Sequence, residues 1–152
     1  MANKDNKCAD LHTKLGKSED WDFIFDLQKR TQEGTYGFKF NDLSLKELAS
    51  FWCTNKHALE DELSEMFDAL GGIDDGIGNA AWKYWKANHV LADKMTIDDL
   101  SDRDLKELKF EIVDAFHFLI NFAVSINMTG SQLFNMYISK NAENIDRQKN
   151  NY

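Results

Sequence analysis

The chain contains no proline, and its eight glycines are mostly clustered. Proline breaks helices and glycine punctuates turns, so this scarcity suits long helices and argues against a fold with many tight strand turns. Cysteine occurs twice, at Cys8 and Cys53, too far apart for any metal-type spacing. No charge-free apolar run approaches the ~18 residues of a membrane span. Residues 1–7 are polar, with no apolar signal region. A reducing cytoplasm is therefore the expected setting. Basic residues are in deficit as well: 18 Lys and Arg face 26 Asp and Glu, for a net charge of −8. So acidic a chain is a poor non-specific binder of nucleic acid or of anionic membranes, and neither is expected as a partner.

What remains is ordinary globular material. Hydrophobic residues make up 43% and charged residues 29% of 152 positions, enough for one domain, residues 1–152, with a real core. Residues 1–20 are polar and mixed, a loose start. Residues 21–32 place Trp21, Ile24, Phe25 and Leu27 at helical spacing, and Gly34 and Gly37 end that helix. Ser44-Leu45-Lys46-Glu47 reads as a capping box opening a helix through Trp52, His57 and Met66, with Gly71-Gly72 as its stop. A Gly/Asp-rich loop covers 74–78. A further helix then carries Trp82, Trp85 and Leu91, and 96–100 is a connection.

Ser101 with Asp104 offers an N-cap for a helix reaching about Ile126. Its stretch 108–124 is apolar nearly all round and is expected to be buried. Met128-Thr129-Gly130 breaks it. Thr129 with Gln132 caps a last helix reaching about Gln148. No strand, repeat or low-complexity linker is apparent. The fold class is all-α, about five main helices in a bundle-like domain.

Two acidic pairs stand out, Glu62-x-x-Glu65 and Glu111-x-x-Asp114. Acids three apart on a helix point the same way. Four carboxylates gathered in an apolar setting cannot all stay ionised without a counter-charge. Hard divalent cations would supply one. Each pair has a plainer reading: Glu62 and Glu65 lie in a charged run that suits a solvated face, and Glu111 and Asp114 could complement a helix dipole. Asp114-x-x-His117 also resembles half of a di-iron carboxylate site. The chain has no Glu-x-x-His, however, and His117 falls about 60° off the carboxylate arc on a helical wheel. Oxygen-only ligands favour Mg²⁺ or Mn²⁺.

The last helix carries Tyr137, Lys140, Asn141, Asn144, Arg147 and Gln148 on one polar face. Such a face offers many donors and suits phosphate oxygens, although a terminal helix also carries an ordinary solvated face. Lys83 and Lys86 sit beside Trp82 and Trp85, which could stack a base or simply fill a core.

Together these residues resemble the all-α nucleoside triphosphate pyrophosphohydrolases of the MazG/dimeric dUTPase type, most of all the dCTP pyrophosphatase/dUTPase group of T-even-type phages. The likeness covers roughly residue 21 to the end. It rests on the two acidic pairs, on Trp82-Lys83-Tyr84-Trp85-Lys86-Ala87, on the run from Lys109 to Phe118, and most specifically on the tail from Tyr137 to Tyr152.

The resemblance implies Mg²⁺-dependent hydrolysis of dCTP and/or dUTP to the monophosphate and pyrophosphate, for nucleotide-pool control. In phages that replace cytosine, this would keep that base out of new DNA. It implies that Glu62, Glu65, Glu111 and Asp114 hold two or more Mg²⁺, with Mn²⁺ a possible substitute, and that Glu62 activates water. Lys83, Lys140, Asn141, Asn144, Arg147 and Gln148 match phosphate-binding positions. Gln28 matches a base-contacting glutamine, and Gln32, Trp85 and Asn121 complete the base and sugar set. Gln32 stands where dUTPases usually carry Asn, which tilts the expectation toward dCTP. A homodimer is implied too. The alternatives are the same fold acting on dGTP or a damaged nucleotide, or a non-enzymatic helical interaction protein.

Overall fold

A computed structural model describes residues 19–70, 83–85 and 93–149. Four α-helices occur among them: α1 Glu19–Gly34, α2 Leu45–Ala69, α3 Asp102–Ser125 and α4 Gly130–Lys149. Short 3-10 turns lie at Phe40–Asp42 and Ile97–Asp99, and the described residues contain no strand. The all-α expectation holds. Glu19 and Asp20, the end of the loose start expected over residues 1–20, already belong to α1. The rest of that start, residues 1–18, the Gly71-Gly72 stop and the loop at 74–78 lie outside the described residues. So does most of the helix expected through Trp82, Trp85 and Leu91, although Tyr84 and Trp85 themselves stand in a turn.

The caps explain where the helices begin. Ser44 Oγ accepts from the Glu47 backbone N–H at 3.3 Å, and the Glu47 carboxylate accepts from the Ser44 N–H at 2.8 Å. This capping box satisfies two helix-end donors that would otherwise lack partners. Ser101 Oγ likewise accepts from Asp104 N at 3.1 Å and donates to the Asp104 carboxylate at 2.9 Å. Thr129 and Gln132 exchange the same pair of bonds, at 2.9 and 3.1 Å, ahead of α4. The turn between α3 and α4 closes on Asn127, whose φ of 57° is left-handed. Met128 N reaches Ala123 O and Asn127 N reaches Val124 O, both at 3.0 Å. That is a Schellman ending with asparagine in the position glycine usually takes.

The chain divides into two compact units. One is Ser44–Phe122, with buried Phe51, Ala69, Leu108, Ala115 and Ile120. The other joins the described parts of Met1–Leu43 and Ala123–Tyr152, with buried Phe25, Phe40, Val124 and Ile138. In this second unit α1 packs against α4. Asp22 accepts from the Ser131 N–H at 2.7 Å and from its hydroxyl at 2.5 Å, capping α4 from a neighbouring helix. These bonds hold the Asp22 carboxyl below the usual carboxylate range, the hydroxyl contributing most. A Cβ on Gly130 would stand 2.2 Å from the Trp21 carbonyl carbon, so only glycine permits this approach.

One expectation is corrected here. Helix α3 is not buried all round: Ile112 and Leu119 are each about half exposed (51% and 50%). A helix that is apolar on every side has more apolar surface than a chain this small covers.

Candidate metal centre

Helices α2 and α3 supply the acids, both from within the unit Ser44–Phe122. Carboxylate oxygens of Glu62, Glu111 and Asp114 all lie within 4.8 Å of one another. Each of these side chains is half-buried, whereas Glu65 is exposed and stands outside that group of three. Glu65 nevertheless contributes charge, since it helps raise the proton affinity of both Glu62 and Glu111.

The electrostatics are those of like charges gathered in a half-buried setting. Burial pushes the Glu62 carboxyl up first, followed by the charges of Glu65, Asp114 and Asp61, while His117 opposes. Burial also leads for Glu111, followed by Glu65, Glu62, Asp114 and Glu107. Desolvation and like charge both disfavour the ionised forms. Glu111 Oε2 is buried and has no hydrogen-bond partner among the described residues. A buried acceptor without a donor is costly, and a cation satisfies it. The donor set, hard carboxylate oxygens only, fits Mg²⁺ or Mn²⁺.

The di-iron reading gains no support. The imidazole of His117 is half exposed and faces Asp114, Nδ1 to Oδ1 at 3.5 Å, rather than joining the three acids. Glu107, one turn before Glu111, adds its charge to the cluster from outside the two acidic pairs. Its spacing could have marked it, because residues four apart share a helix face.

Other predicted residues are placed unit by unit. In the unit with the acids, Lys83 Nζ pairs with Asp68 at 3.1 Å, with its side chain 19% exposed. Trp85 is exposed and meets Tyr84 edge to face at 5.1 Å. Asn121 is buried and donates to Asn55 at 2.7 Å. In the other unit, Gln28 is half-buried and Gln32 is buried on α1. Lys140, Asn141, Asn144, Arg147 and Gln148 are all exposed on α4, the polar face expected there, with Lys140 reaching Glu143 at 3.2 Å. No single described helix is long and apolar enough to cross a membrane.

No protein-family model and no solved structure matches the chain. A dCTP pyrophosphatase of Enterobacteria phage T4 is 30% identical over 167 residues, a match covering 97% of this chain and 98% of that protein. A dCTP pyrophosphatase of Enterobacteria phage LZ5 is 38% identical over 104 residues, 66% of this chain and 60% of that protein. A DNA replication protein of phage T4 is 30% identical over 156 residues, but the match spans only 40% of its length. With near end-to-end similarity to the first of these, this all-α chain belongs to the phage dCTP pyrophosphatase family.

Proposed function

We propose that the chain is a divalent-cation-dependent pyrophosphohydrolase that converts dCTP, and dUTP as a second substrate, to the monophosphate and pyrophosphate. The observation that carries this reading is the convergence of Glu62, Glu111 and Asp114 within 4.8 Å, with an orphaned oxygen on Glu111. The name dCTP pyrophosphatase, borne by a relative matching 97% of the chain, supports the substrate. That span also supports treating residues 1–152 as one functional module.

In this reading Glu62, Glu111 and Asp114 hold the cations, with Glu65 supporting them from the exposed side. Two or more Mg²⁺, or Mn²⁺ in substitution, would neutralise the triphosphate and leaving pyrophosphate and lower the pKa of water. Glu62, one of the three converging carboxylates, takes the proton from the attacking water. Water adds at phosphorus, the P–O–P link breaks, and its electron pair leaves with the departing phosphate oxygen. Lys83, Lys140, Asn141, Asn144, Arg147 and Gln148 donate to phosphate oxygens. Gln28, Gln32, Trp85 and Asn121 contact the base and sugar. The reaction belongs in the cytoplasm of the host cell, where deoxynucleotides are made. A homodimer is part of the proposal, because the half-exposed Ile112 and Leu119 on α3 offer an apolar face to a second copy.

The test is product identification. The protein is incubated with each deoxy- and ribonucleoside triphosphate and Mg²⁺, and products are resolved by ion-exchange chromatography. Release of dCMP with pyrophosphate supports the proposal. Turnover of purine nucleotides alone shifts the substrate, and no turnover of any nucleotide overturns the enzymatic reading.

A further inference from the structure

Buried amides at a helix seam ask for a reason, and the described residues of the unit Ser44–Phe122 include two. Asn55 on α2 and Asn121 on α3 are 5% and 3% exposed. Asn121 Nδ2 donates to Asn55 Oδ1 at 2.7 Å, and Asn55 Nδ2 donates to the Phe51 carbonyl at 2.8 Å. The polarity of this relay is forced: a backbone carbonyl only accepts, so Asn55 turns its NH₂ to Phe51 and its oxygen to Asn121. An apolar pair would fill the same seam without the desolvation cost of two amides. Buried asparagines do, however, specify helix register, because a slip of one turn leaves both amides unpaired.

The register they specify is the one the acids need. Seven residues separate Asn55 from Glu62, and seven separate Asp114 from Asn121. The meeting of Asn55 with Asn121 and of Glu62 with Asp114 together run α2 and α3 antiparallel, with the acids two turns, about 10 Å, along the seam from the amides. Three residues further, the same register sets Glu65 against Glu111. The approach of Glu62 to Asp114 and Glu111 within 4.8 Å follows this pattern. Trp52 and Phe122, edge to face at 5.6 Å, flank the amides on the side away from the acids.

We propose that the Asn55–Asn121 amide bridge is the positioning element of the acidic site, fixing the register of α2 against α3 that makes one cation reachable by acids of both helices. This rests on the reading of those acids as a cation site. A slip of one turn would move the carboxylates by about 5.4 Å. Ligand bonds to hard divalent cations are only about 2.0–2.6 Å long, so acids displaced that far cannot share an ion. Asn55, one hydrogen bond behind Asn121, thereby gains a role that its own chemistry does not suggest.

The experiment uses the full chain without nucleotide. Mn²⁺ binding is followed by loss of the free-ion EPR signal, alongside thermal unfolding and steady-state kinetics with dCTP. In the double variant Asn55→Leu/Asn121→Leu, helix content and cooperative unfolding are retained, because an apolar pair replaces a satisfied polar one. Mn²⁺ affinity falls at least tenfold and kcat falls more than KM rises. Loss of less than threefold in Mn²⁺ affinity overturns the inference. So does a change confined to Tm, which marks a merely structural bridge, or one confined to KM, which marks Asn121 as only a nucleotide contact. Asn55→Gln keeps an amide but adds a methylene, and carries the test if the leucine pair does not fold. It should lose at least threefold in Mn²⁺ affinity, and wild-type affinity in this variant overturns the proposal. A wild-type protein that binds no Mn²⁺ overturns the cation site itself, an outcome distinct from a wild type that binds and a variant that matches it.

Discussion

Replacing Glu111 by Gln separates what the cluster costs the fold from what it gives the reaction. The substitution keeps the shape of the side chain and removes one charge facing Glu62 and Asp114, whose oxygens lie within 4.8 Å. Coulomb's law at that distance gives about 3.5 kcal/mol per pair at an effective dielectric of 20, and about 0.9 in water. Asp114 is half exposed (49%), so the value near the water limit applies, roughly 1 kcal/mol for each of two repulsions. Glu111→Gln also gives its buried position an NH₂ that can donate to a neighbouring carboxylate. In EDTA at pH 7 the variant should therefore be more stable than wild type by about 1–2 kcal/mol, a rise in Tm of roughly 2–8 °C for a chain of this size. Added Mg²⁺ should stabilise wild type and leave the variant nearly unchanged. Hydrolysis of dCTP should fall by about a hundredfold or more. Differential scanning calorimetry with and without Mg²⁺, paired with a pyrophosphate-release assay, checks all three. An unchanged or lower Tm in EDTA, or a turnover rate near that of wild type, refutes the reasoning.

The same cluster sets a pH dependence. Glu62 and Glu111 have folded-state pKa values raised above the ordinary 4.5, so their contribution favours the folded state below that value and is lost as pH rises through the raised values. The metal-free protein should lose stability as pH rises above about 4.5 and through the raised values, and saturating Mg²⁺ should flatten the slope, as read by urea unfolding over a pH series. Asp22 and Glu47, held low by Ser131 and Ser44, act with the opposite sign and only below the usual carboxylate range. Gly130→Ala should destabilise by about 1–3 kcal/mol, because the new Cβ meets the Trp21 backbone at 2.2 Å, and an unchanged denaturant midpoint would contradict the close packing of α1 on α4. Arg147→Ala on the exposed face of α4 should leave Tm within about 1 °C and raise KM for dCTP several-fold, with unaltered kinetics removing that residue from the phosphate set.

How far the sequence reveals this molecule depends on the range of the interaction involved. The capping boxes at Ser44 and Thr129 are legible because each is a local exchange of bonds over three residues. The end of α1 at Gly34 follows from glycine chemistry in the same way. The acidic pairs mark their helices but not their partners: only the folded unit shows that Glu62 meets Glu111 and Asp114 while Glu65 stays at the exposed edge. Lys83 illustrates the limit, since a lysine beside aromatics gives no hint of its ion pair with Asp68, fifteen residues away. Nor does periodicity predict that Ile112 and Leu119 stay half exposed, because apolar character says a surface seeks cover and not whether the same chain supplies it. Asn55 was silent in the sequence for the opposite reason. A single amide on an apolar helix face acquires meaning only when its partner, 66 positions on, is seen beside it.

A crystal structure of the protein with Mg²⁺ and a non-hydrolysable α,β-imido analogue of dCTP would test the central claim most directly. The account predicts at least one Mg²⁺ ligated jointly by Glu62, Glu111 and Asp114 and bridged to phosphate oxygens of the analogue. Density for the analogue with these three carboxylates free of metal, or with the cation held elsewhere, would contradict it.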